Sequence, residues 1–104
     1  MKKSILSLGA LVMSSGFGAA LAGDVSAGEQ RFKACISCHQ ADGSGSGIFP
    51  SLRGNDAEYI TDKLTRYRDG EEVGQHTAIM APQARTLSDE DIENVAAYIE
   101  AEFN

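Results

Sequence analysis

Residues 35–39 read Cys-Ile-Ser-Cys-His, and no other stretch limits the possible folds as tightly. It uses both cysteines of the chain and one of its two histidines. On a helical turn, positions i, i+3 and i+4 share a face, so Cys35, Cys38 and His39 project toward one object. A disulfide between cysteines three residues apart would close too short a loop to constrain the unfolded chain much. A thioredoxin-like thiol pair opens a helix after a strand in an α/β fold, and no strand pattern precedes Cys35. Structural zinc takes four ligands, so it would need Cys35, Cys38, His39 and His76 together. The C-x-x-C-H spacing itself is the signature of covalent haem attachment. Two thiols then add to the two vinyl groups of the porphyrin, and the adjacent imidazole reaches the iron.

The beginning of the chain reads as a separate segment. Lys2 and Lys3 are followed by an uncharged run broken by Ser and Gly, which ends in Ala20-Leu21-Ala22. That is the layout of a secretory signal cleaved after Ala22. The run is about long enough to span a bilayer, so a retained anchor is the alternative. With 1–22 removed, residues 23–104 form one expected domain of 104 − 22 = 82 residues. Losing Lys2 and Lys3 leaves seven basic against fifteen acidic residues, a formal charge of 7 − 15 = −8. Such a chain does not bind nucleic acid or anionic lipid through bulk charge, and no stable membrane insertion is expected after cleavage. A domain this small has a thin core, and a large apolar cofactor would complete it.

The pattern downstream predicts an all-α fold: three main helices and two long loops. Residues 24–39 form the first helix, capped by Asp24, with Val25, Gly28, Phe32 and Cys35 or Ile36 at helical spacing. Residues 40–55 are a Gly- and Ser-rich loop with a flexible tip, whose Ile-Phe-Pro-Ser-Leu segment must pack on something. Residues 56–69 form the second helix, capped by Asn55 or Asp56, with Ile60, Leu64 and Tyr67 on one face. Residues 70–86 read as loop again, with Pro82. Residues 88–103 form the third helix, capped by Ser88, with acids in the first turn and a stripe of Ile92, Val95, Ala96, Ile99 and Phe103. Loops this long fit a compact domain only if they wrap a bound body.

Haem iron leaves a sixth position to fill. A thioether opposite a histidine gives a low-spin electron-transfer site, whereas an open position permits gas binding. Met80 is the only methionine after residue 22 and stands just before Pro82, far in sequence from His39. It is therefore the expected distal ligand, with His76 as competitor.

At this point the chain resembles the class I c-type cytochromes, in particular the small bacterial c553/c5/c4-like monohaem carriers. The likeness rests on "GEQRFKACISCH", "FPSLRG", the Met80 segment and "LSDEDIENVAAYI", in that order. It implies the cytochrome c fold around one covalent haem c, with Cys35 and Cys38 as thioethers and His39 and Met80 as axial ligands. It also implies that Pro50 offers its carbonyl to the proximal histidine, and that Gly28 and Phe32 meet Tyr98 on the C-terminal helix. Ile48, Phe49, Leu52, Tyr67 and Ile79 are expected to line the haem. A single attachment motif excludes the two-haem c4 arrangement. The implied role is that of a periplasmic one-electron carrier with transient protein redox partners, and not an enzyme. The rival assignment is a haem subunit held in a periplasmic dehydrogenase complex, for example a flavin-containing one.

Overall fold

The computed structural model describes residues 23–104, and the expected signal at 1–22 lies outside them. The helices are α1 (Val25–Phe32), α2 (Ile36–His39), α3 (Ala57–Arg68), α4 (Thr77–Ala84) and α5 (Asp89–Glu102), with a tight 3-10 turn at Lys33–Cys35 joining α1 to α2. Among the described residues the one extended pairing is an isolated bridge between Ser46 and Phe49.

The helix starts follow from side chains that accept the first free N–H groups. Asp24 accepts from Ala27 N at 3.2 Å, and Asp56 from Tyr59 N at 2.8 Å. At α5, Ser88 and Asp91 form a reciprocal capping box. Asp91 also carries an ion pair to Arg31 of α1 at 2.7 Å.

The first and last helices cross at close range. A Cβ on Gly28 would overlap the Asn94 carbonyl and stand 2.8 Å from Tyr98 Cβ. Only a residue without a side chain lets the two backbones approach this far. Phe32, Tyr98 and Phe103 meet beside the crossing with ring centroids 5.3–5.7 Å apart. Ile60 and Leu64 of α3, Ala84 of α4 and Ile92, Val95, Ala96 and Ile99 of α5 complete the buried cluster.

Two expectations need correction. The segment 70–86 is not all loop, because Thr77–Ala84 is helical with Pro82 inside it. Proline removes one N–H and crowds the carbonyl four residues back, here Ala78. Both residues are exposed, so water can satisfy that carbonyl and the short helix survives. The loop at 40–55 is also more ordered than its glycines predict. Gly43 and Gly45 take positive φ of 73° and 70°, which lets Gly43 pack against the Phe103 ring and Gly45 against Phe49 and Pro50. Leu52 N donates to Gly43 O at 2.7 Å, and Ser46 and Phe49 exchange two further backbone bonds.

Candidate functional site

The attachment motif spans the 3-10 turn and α2, so the tightening of the first helix falls on the residues that must face one body. Gln40 ends the segment with φ 71° and ψ 155°, a positive-φ conformation outside the helical regions that turns the chain out of α2. Gly45 N then donates to His39 O at 2.9 Å, which folds the loop against the motif.

His39 is buried, with 8 % of its surface exposed. Its Nδ1 lies 2.9 Å from the Pro50 carbonyl oxygen. A carbonyl can only accept, so this bond places a proton on Nδ1, and in the neutral ring the lone pair is then on Nε2. That is the tautomer and fixed orientation a metal-binding imidazole requires. Cys35 and Cys38 are free and half-buried. Burial first, and the neighbouring Cys38 second, push the Cys35 thiol above its ordinary range.

The structure brings Cys35, Leu52, Tyr67 and Met80 to the margin of the same core, each half-buried against it. They come from four segments: the 3-10 turn, the first loop, α3 and α4. Phe49 is half-buried, whereas Pro50 is exposed apart from its carbonyl contact. Ile48 and Ile79 remain exposed, at 50 % and 44 %. His76 is exposed at the start of α4, where it makes no side-chain capping bond.

The donor set fits a c-type haem in kind: two free thiols, an imidazole with one nitrogen uncommitted, a thioether on a separate helix, and apolar side chains left part-covered. Two surface cavities among the described residues lie apart from these donors. One of about 430 Å³ is lined by Gly23, Ala57, Glu58, Thr61, Asp62, Glu93 and Ala97, and a second of about 210 Å³ adjoins it. Neither contains a residue of the motif or Met80.

Sequence reasoning missed Thr77. Its hydroxyl accepts from Val73 N and Gly74 N, both at 2.9 Å, and donates to Gly74 O at 2.7 Å. The available signal was a lone hydroxyl residue at the edge of an apolar run, three positions after a glycine. Asn94 was missed as well: it is buried, and its Oδ1 accepts from Asp24 N at 2.8 Å.

Comparison with known proteins agrees with this chemistry. Residues 25–101 match the family model described as cytochrome c. Cytochrome c-554(548) of Halomonas halodenitrificans is 46 % identical over 78 residues, covering 74 % of this chain and 94 % of that protein. Cytochrome c-554(547) of Halothiobacillus neapolitanus is 39 % identical over 87 residues, covering 75 % and 96 %. Among solved structures, the reduced recombinant cytochrome c4 from Pseudomonas stutzeri superposes with a TM-score of 0.69 at 30 % identity, covering 80 % of this chain and 52 % of that one. The chain thus spans about half the length of that cytochrome c4.

Proposed function

Because the chain belongs to the cytochrome c family, an electron-transfer family whose members carry covalently bound haem c, we propose that it is an exported carrier of single electrons with one haem ligated by His39 and Met80. The observation that carries this reading is the Nδ1–Pro50 bond, which selects the neutral tautomer whose Nε2 is the metal-binding nitrogen. When bound, the haem supplies a ferric/ferrous couple that accepts and returns one electron. Cys35 and Cys38 would hold it through thioethers. Pro50 keeps the imidazole ring from rotating, and the charge on that carbonyl oxygen makes Nε2 a better donor. Met80 offers a soft sulfur from α4, which favours the ferrous form. Phe49, Leu52 and Tyr67 exclude water, with Ile48 and Ile79 at the rim. Low polarity disfavours the added charge of the ferric form and raises the potential further. No substrate cavity is needed, and a partner need only make a small transient contact. Export follows from the signal read at 1–22, with the carrier at work in the periplasm.

Carbon monoxide added to the reduced protein tests the ligation. The native protein is expected to bind it slowly and partially at neutral pH, and Met80→Ala rapidly and completely. Rapid binding by the native protein would mean that the sixth position is open, and the carrier reading would give way to a gas-binding one.

A further inference from the structure

Met80 stands on a short helix that packs on α3 mainly through small side chains. α4 has eight residues, contains Pro82, and its N-cap residue His76 contributes no side-chain bond. Helices this short are unstable alone and depend on their surroundings. The buried residues of α4 are Thr77, Ala81 and Ala84, which lie on one face, and two of them are alanines with small contact area.

Thr77 is a further anchor, at the start of the helix. It is 7 % exposed, and its hydroxyl uses every hydrogen-bonding direction it can: two backbone N–H groups are accepted and one proton is donated. Thr77 N adds a bond to Gly74 O at 3.2 Å. Together these close residues 73–77 into a ring at the start of the helix. Met80 is three residues on, one turn along the same side. The first backbone bonds of that turn, Ile79 N to His76 O at 3.0 Å and Met80 N to His76 O at 3.4 Å, hang from the peptide between His76 and Thr77.

We propose that Thr77 is the positioning residue for the distal ligand: its hydroxyl ring holds the first turn of α4 in place and so sets how often Met80 leaves the iron. This rests on the reading of Met80 as ligand. The hydroxyl does not touch Met80 or the iron; it acts through the backbone of residues 73–77. Replacing this buried hydroxyl by a methyl removes the partner of the Val73 and Gly74 N–H groups, while Gly74 O keeps only its bond from Thr77 N. The opened turn then frays from its start, and Met80 lies within it.

The test is the rate at which imidazole binds the ferric holoprotein, since an added ligand enters when the native one departs. Thr77→Val keeps the shape and removes the hydroxyl; Thr77→Ser keeps the hydroxyl. Thr77→Val is expected to accelerate imidazole binding about tenfold or more and to weaken the sulfur-to-ferric charge-transfer band, with Thr77→Ser close to native. Ile99→Val, a core change distant in sequence, serves as control for general destabilisation. An unchanged rate in Thr77→Val overturns the proposal, as does equal acceleration in Ile99→Val at matched urea stability. If Met80→Ala and the native protein bind imidazole at the same rate, Met80 is not the ligand, and the proposal falls with it. Should Thr77→Val fail to fold, Thr77→Ala and Thr77→Ser are read against each other by the same rate, and equal values overturn the proposal.

Discussion

The tightest constraint at the level of single residues is Gly28. Its missing Cβ is the space in which the Asn94 carbonyl sits. Backbone cannot retreat as a flexible side chain can, so Gly28→Ala must push α1 and α5 apart. The expected cost is about 1–3 kcal/mol, the range for overpacking a filled core. It should appear as a lower urea midpoint of the haem-loaded protein, with the haem spectrum unchanged below the transition. At this scale the sequence was legible wherever chemistry was concentrated. Cys35, Cys38 and His39 declare themselves by spacing, and Gly28 is conspicuous inside a helix where glycine is costly. Thr77 and Asn94 were not legible. Their value lies in backbone groups brought to them from elsewhere: Val73 and Gly74 by a turn, and Asp24 from the other end of the chain.

Among the elements, α5 was read almost to the residue and α4 not at all. The difference is physical. The Ser88–Asp91 box and the apolar stripe behind it are local signals that agree with each other. α4 reads Thr-Ala-Ile-Met-Ala-Pro-Gln-Ala, without an apolar stripe and with a proline, and only its tertiary setting makes it helical. The glycine loop misled in the opposite direction, because positive-φ glycines serve a tight path as well as a loose one. The capping box also makes a pH prediction. The hydrogen bond from Arg31, and then the Ser88 backbone N–H, hold the Asp91 carboxylate down to about 2. Its ordinary value is 3.8, so on acidification the unfolded chain takes up this proton before the folded one does. The contribution of the pair is therefore full above about pH 4 and is lost as pH falls toward 2. Melting of Asp91→Asn should be flatter than native across that window and parallel to it above. The pair is partly solvated, so added salt should shrink the difference.

For the molecule as a whole, charge is the property with consequences at a distance. Residues 23–104 carry seven basic and fifteen acidic groups, 7 − 15 = −8. Electron exchange with a small cationic metal complex should slow as ionic strength rises, and exchange with an anionic one should accelerate. A flat response to both would show that neutral surface surrounds the site of exchange. The described residues are also tied together across long sequence separations. α1 packs on α5 through Gly28, Asn104 Nδ2 reaches Asn55 O at 3.0 Å, and Gly43 rests on the ring of Phe103. A polypeptide is made from its N-terminus, so α5 and Phe103 follow the attachment motif. Until α5 emerges, Gly28 has no helix to cross and Gly43 has no ring to rest on. The core against which Cys35 packs is thus incomplete until α5 has been made. Closure waits for Phe103, so the order of synthesis separates presenting the thiols from packing the core beside them.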